Sequence, residues 1–134
     1  MTDLVFFYGT LMSGFERPGR LRIDPKLTRV GRGSIRAALF DLGIYPAAIP
    51  SSDDRVLGEV HRMSDADSVL AALDEIEGYR PSQPDNSLYT RVETPVTFDD
   101  GRVEPAWAYF YNAPLGGAQR IESGDYLQYL QVKP

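Results

Sequence analysis

The residue best placed to do chemistry in this 134-residue chain is Glu77, in Leu73-Asp74-Glu75-Ile76-Glu77-Gly78-Tyr79. Val69, Leu70, Leu73 and Ile76 recur at helical spacing, which predicts an amphipathic helix over 64–77 ending at Gly78. Turning about 100° per residue, Glu77 falls roughly 50° from the centre of the apolar stripe and Glu75 about 150° away. Glu75 is therefore a solvated carboxylate, and Glu77 points inward. Burial strips hydration from an inward anion, and the carbonyl end of the helix dipole is itself negative. Both effects push a glutamate upward from about 4.3 toward neutrality, where a carboxyl serves as a general base or acid. The structural alternative is a glutamate at the rim of the core, reaching water or a backbone N–H.

A second candidate lies at the other end of the chain. The apolar run Val5-Phe6-Phe7 breaks into Tyr8-Gly9-Thr10-Leu11. A strand that stops at a glycine delivers backbone N–H groups to the mouth of a fold instead of to a ladder. Gly9 tolerates φ > 0 or the close approach of another group to the main chain. An ordinary turn after an N-terminal strand is the competing reading.

The inventory excludes several chemistries. There is no cysteine and a single histidine, His61, in the strand-like run Leu57-Gly58-Glu59-Val60-His61-Arg62-Met63. Thiolate nucleophiles and disulfides are absent, and a zinc site is not expected. No Gly-x-Ser-x-Gly turn presents a serine to His61, and Gly31-Arg32-Gly33-Ser34 lacks the third glycine and preceding strand of a dinucleotide fingerprint. Alternation puts Glu59 on the same strand face as His61, as a structural group in preference to a base. Paired carboxylates for glycoside hydrolysis stay open, since nothing sets their separation.

Strands must position these groups. Residues 3–8, about 29–41, 55–63, 89–98 and 103–111 read as strands, with a short extended piece near 47–49. Asp99-Asp100-Gly101-Arg102 supplies hairpin chemistry between the last two, and Pro95 implies an edge or a bulge. Ser64 is the expected N-cap of the helix, with Asp67 as its capping-box partner and Asp65 favourable to the dipole. The tail around 121–130 reads as a short helix or an edge segment. Many strands and one helix predict an antiparallel, barrel-like α+β domain over residues 1–134, not a doubly wound sheet.

Hydrophobic content of 43% and charged content of 25% are ordinary for a globular protein. No run reaches the length of a membrane span, and no signal-peptide pattern opens the chain, so a cytoplasmic location without membrane association is expected. Net charge is −5, spread unevenly: residues 1–40 hold seven basic and three acidic side chains, and the remainder seven and sixteen. The basic cluster (Arg17, Arg20, Arg22, Lys26, Arg29, Arg32, Arg36) lacks interleaved aromatics, which argues against nucleic acid as a partner. A solvated arginine face is the plain reading, and local attraction for a substrate carboxylate the other. Oligomeric state is open between monomer and homodimer; an aromatic strand edge at Trp107–Tyr111 would permit a dimer.

Five stretches, in order, resemble the gamma-glutamyl cyclotransferase-like proteins, including the γ-glutamylamine cyclotransferase branch. They are Phe6–Leu11, Asp41-Leu42-Gly43-Ile44-Tyr45-Pro46-Ala47, Val56–Val60, Leu73–Gly78 and Tyr89-Thr90-Arg91, together covering about residues 4–111. The resemblance implies a small mixed, mainly antiparallel β-barrel with one main flanking helix. It implies that the turn Tyr8, Gly9, Thr10, Leu11 binds a γ-glutamyl head and that Glu77 is the proton acceptor. Tyr45, Tyr89 and Arg91 are candidates to complete the pocket, although barrel tyrosines also serve as core filler with a bonded hydroxyl. The chain departs from the family at Met12-Ser13-Gly14-Phe15-Glu16-Arg17 and in the loop Pro81–Ser87, which is placed to cap the pocket.

The implied reaction needs no cofactor or metal. In a small-molecule γ-glutamyl amide the α-amine closes a five-membered ring on the side-chain carbonyl, giving 5-oxoproline and a free amine. Glu77 would take the proton of an ammonium with a pKa of about 8 and pass one to the departing nitrogen, a task worth about 10²–10⁴ in rate. Backbone N–H groups of Gly9, Thr10 and Leu11 would bind the substrate carboxylate or the oxyanion. The alternatives are a non-catalytic module binding a carboxylate ligand or protein on the same turn, and an amide hydrolase in which water replaces the amine.

Overall fold

A computed structural model describes residues 2–12 and 23–132. The elements are β1 (Leu4–Phe7), β2 (Leu27–Asp41), β3 (Pro46–Met63), α1 (Ala66–Glu77), β4 (Tyr89–Phe98), β5 (Val103–Tyr111), β6 (Gln119–Ile121) and α2 (Tyr126–Val132). The strands run β3-β1-β5-β4-β2-β6, and an additional β2–β3 pairing closes the first five into a barrel. Every pairing is antiparallel except β1 with β5, where Val5 sits opposite Trp107. The fold is thus a small mixed barrel with one main helix.

Alternation along the strands builds the core. Val56 and Val60 of β3, Ile35, Ala37 and Leu39 of β2, Val96 of β4 and Ala106 and Ala108 of β5 are all buried, as successive residues on one face of a pleated strand must be. α1 contributes Val69, Leu70 and Leu73, which are fully buried or nearly so. Ile76, read from the sequence as part of that stripe, is only half-buried at the helix end.

Several boundaries differ from the sequence expectation. The separate pieces at 47–49 and 55–63 form one strand, β3, because its partner β2 runs past both. Ala37 pairs with Pro50 and Arg36 with Arg55, so residues 51–54 bulge out without ending the ladder. The tail supplies both expected forms: β6 pairs with β2, and α2 follows it. β5 lies between β1 and β4, so Trp107–Tyr111 is not a sheet edge. Pro95 faces Pro105 on β5 and lies outside the Thr97–Phe98 stretch that pairs with β2, which spares β2 the missing N–H.

The start of α1 also differs. Asp65, not Ser64, occupies the N-cap, with φ of 56° and no side-chain capping bond. The Lys26 ammonium accounts for this: it reaches Asp65 Oδ2 at 3.3 Å and Ser68 Oγ at 2.8 Å, while the Ser64 N–H donates to the Lys26 carbonyl. The far end follows the expectation. Gly78 has φ of 66°, and the Tyr79 N–H returns to the Asp74 carbonyl at 2.8 Å, a left-handed cap that any side chain would strain. Among the described residues no helix is long and apolar enough to cross a membrane.

Candidate active site

The closed barrel brings the two chemical stretches together. One cleft is lined by Tyr8, Gly9, Thr10 and Leu11 from the end of β1, by Tyr45 and Pro46 from the β2–β3 turn, by Glu77 from the end of α1, and by Tyr89 and Tyr109 from β4 and β5, with Phe6 and Phe7. Its cavity volume is about 30 Å³, and its atom-free space out to the open mouth is about 370 Å³.

The turn after β1 is shaped by a close approach, not by unusual torsion. Gly9 is not among the positive-φ glycines; a Cβ there would lie 2.6 Å from Pro46 Cγ and 3.0 Å from Pro46 Cδ. The turn closes with the Met12 N–H donating to the Gly9 carbonyl at 3.0 Å. Gly9 thus lets the β2–β3 turn seat against the end of β1, which puts Tyr45 and Pro46 beside Tyr8.

Tyr8, Tyr89 and Tyr109 of the lining each donate a hydroxyl hydrogen to the protein. Tyr8 donates its hydroxyl hydrogen to the Tyr109 carbonyl at 2.6 Å and accepts from the Ala48 N–H at 3.4 Å. Tyr89 donates to the Pro46 carbonyl at 3.0 Å, and Tyr109 donates to Asp74 Oδ1 at 2.6 Å. Burial lifts the Tyr8 pKa well above its ordinary value, with the charges of Tyr89 and then Glu77 adding to it. Tyr109 is raised likewise, by burial first, then by its bond to Asp74, with a further contribution from Glu77. Glu77 lines the same cleft as Tyr8 and Tyr109, and burial with its nearby charge keeps both phenols neutral.

Asp74 is the buried carboxylate that the helical pattern concealed. It lies three residues before Glu77 on α1. Arg91 Nε donates to its Oδ1 at 2.8 Å and Nη2 to its Oδ2 at 3.2 Å, a bidentate pair. The guanidinium also stacks 4.5 Å from the centre of the Trp107 ring and 5.8 Å from that of Tyr79. Burial works against the Arg91 charge, but Asp74 outweighs it and leaves the guanidinium pKa raised.

Arg91 is thus the one predicted pocket residue that the structure places elsewhere: it clamps the end of α1 to β4 and does not line the cleft. The reason is its partner, since Asp74 and two aromatic faces hold its planar head away from the opening. The Pro81–Ser87 loop is not part of the lining either. Asn112 Nδ2 ties it to the end of β5 through the Pro84 and Ser87 carbonyls, at 3.0 and 3.1 Å. Glu59 and His61 are both buried, with Glu59 Oε1 3.1 Å from His61 Nε2, and neither lines the cleft. The Ser13–Arg17 departure and Arg17, Arg20 and Arg22 lie outside the described residues.

Comparison with known proteins places this geometry. The family model described as Gamma-glutamyl cyclotransferase, AIG2-like matches residues 5–128. The gamma-glutamylcyclotransferase family protein YtfP of Escherichia coli K12 is 36% identical over 126 residues, covering 92% of this chain and 95% of that one. The solution structure of E. coli ytfP superposes with a TM-score of 0.66 at 31% identity, over 92% of this chain and 96% of the other. YkqA from Bacillus subtilis superposes with a TM-score of 0.72 at 21% identity, a likeness of fold in which this chain spans 42% of the other.

Proposed function

Because the chain belongs to the gamma-glutamyl cyclotransferase, AIG2-like family, we propose that it converts a small γ-glutamyl amide into 5-oxoproline and a free amine. The supporting observation is the convergence of Glu77 and the Tyr8–Leu11 turn on one cleft, although Leu11 and Glu77 are 66 positions apart in sequence.

The substrate carries its own nucleophile. Its α-amine forms a bond to the γ-carbonyl carbon, the amide C–N bond breaks, and the proton shed by the attacking nitrogen ends on the departing one. Glu77 accepts that proton and returns it, so no group is consumed. Holding the amine about 3–3.5 Å from the carbonyl replaces a costly encounter by a preset geometry. The Gly9–Leu11 backbone serves the substrate carboxylate or the oxyanion by its N–H groups. Tyr45 and Tyr89 shape the walls of the cleft.

The test is a panel of γ-glutamyl amides, including γ-glutamyl amino acids and γ-glutamyl-lysine, incubated with the purified protein and assayed for 5-oxoproline. Release of 5-oxoproline supports the proposal. Free glutamate would instead identify a hydrolase. Ligand binding without turnover, unaffected by Glu77→Gln, would identify a binding module.

A further inference from the structure

The hydrogen bonds of the cleft carry information about which end of the substrate lies where. A backbone carbonyl or a carboxylate has no hydrogen to give, so a tyrosine bonded to one must be the donor. Tyr109 is bonded to the Asp74 carboxylate at 2.6 Å and Tyr8 to the Tyr109 carbonyl at 2.6 Å. Each phenol has therefore turned its only hydrogen toward the protein. Tyr8 also takes the Ala48 N–H on its acceptor side. Tyr109 keeps its lone pairs and lines the cleft together with Glu77.

We infer that Tyr109, aimed by Asp74 and Arg91, is a specificity-determining acceptor for the α-ammonium group of the ligand, beside Glu77. This rests on the cyclotransferase reading for the identity of the ligand. An ammonium offers three donors and needs acceptors around it. A phenol whose hydrogen is already spent can only accept, so it attracts an ammonium and repels a carboxylate. The direction of the Tyr109 hydrogen is set from behind. Asp74 accepts the two guanidinium hydrogen bonds as well as that of Tyr109, and Arg91 is itself held against Trp107. Asp74 and Arg91 are positioning residues, since neither lines the cleft.

Two ligands isolate the ammonium. L-methionine sulfone carries the α-amino acid head with a sulfone where the γ-carbonyl would be, so its amine has no carbonyl to attack. The compound 4-(methylsulfonyl)butanoate is the same molecule without the amine. Calorimetric titration of the full chain should show the amine-bearing ligand binding at least about tenfold tighter, as expected of a site built to hydrogen-bond that group. Tyr109→Phe should cut that ratio about tenfold, the size of one hydrogen bond to a charged group, and move the affinity of the amine-free ligand less than twofold. A structural role alone would weaken both ligands together, and that outcome, or an unchanged ratio, overturns the inference.

Asp74→Asn is the second variant, and it leaves Tyr109 in place. Its amide oxygen would turn toward Arg91 and its NH₂ toward Tyr109, so the phenol hydrogen would swing into the cleft. The ratio should fall below that of Tyr109→Phe, because a donor now faces the ammonium; a ratio at the wild-type level counts against the inference. The 5-oxoproline panel separates the two readings. Turnover with no amine discrimination sinks the acceptor assignment alone. Strong discrimination that Tyr109→Phe abolishes, without turnover of any panel member, sinks the cyclotransferase reading and leaves the ammonium site standing.

Discussion

Asp74→Ala removes one buried acceptor from two partners at once, and its cost can be worked from the structure. The Tyr109 hydroxyl, in a residue that is 3% exposed, loses its acceptor; an orphaned buried polar group costs about 1–3 kcal/mol. The Arg91 guanidinium loses a bidentate partner, and breaking a buried pair from one side costs about 3–5 kcal/mol. Arg91 retains 17% side-chain exposure and its seat on Trp107, so the second cost falls toward or below its lower end. The two losses share one carboxylate and do not simply add. The expected destabilisation is about 3–4 kcal/mol, or roughly 10–15 °C in Tm for a chain of this length.

The assay is urea unfolding followed by circular dichroism and by the fluorescence of Trp107, the sole tryptophan and a direct neighbour of the Arg91 head. A double-mutant cycle with Arg91→Ala should return a coupling of at least about 1.5 kcal/mol, since removing either partner already breaks the pair. Loss of less than 1 kcal/mol in Asp74→Ala, or additivity in the cycle, would refute the claim that this clamp fixes the end of α1. In that case Glu77 would owe its position to the Gly78 cap and the apolar stripe alone.

Three further outcomes are expected. Glu77→Gln keeps the side-chain volume but cannot take a proton, so kcat should fall about 10²–10⁴-fold with Tm nearly unchanged; near-normal kcat on a verified substrate would discard the base assignment. Gly9→Ala puts a Cβ 2.6 Å from Pro46 Cγ, so it should cost about 1–3 kcal/mol through overpacking and weaken ligand binding, which melting and calorimetry will read. Tyr8 and Tyr109 have raised pKa values, above the ordinary 10.0, so the folded state holds phenol protons that the unfolded state releases. Their stabilisation is therefore complete below pH 10 and declines as pH rises, by about 1.4 kcal/mol per unit for each phenol; phenolate absorbance should show both ionising only on unfolding.

Much of the site was legible because it depends on local pattern. The spacing of Val69, Leu70 and Leu73 orients α1, and Gly78 marks its end, so local pattern alone puts Glu77 on the inward side. The break at Tyr8-Gly9 marked a strand end, although Gly9 serves the Pro46 ring and not a positive φ. The hairpin of β4 and β5 followed from Asp99–Arg102 and from alternation, both short-range signals. Asp74 was missed for a physical reason. A carboxylate beside an apolar stripe reads as surface until a cationic partner is known, and that partner is 17 residues away on a different strand. Arg91 was placed in the pocket for the same reason in reverse: its motif was visible, its acceptor was not.

The chain of residues alone, then, determined which side chains had suitable chemistry, which way the helix faced and that strands would dominate, because each depends on neighbours within a few positions. Closure of the barrel decided the rest. Only the β2–β3 pairing and the parallel contact of β1 with β5 bring Tyr8, Glu77 and Tyr109 to one opening, and only there does the direction of a phenol hydrogen acquire meaning. Long-range pairing selects among many locally acceptable arrangements by the burial and hydrogen bonding of the whole, and that sum is not written in any single segment.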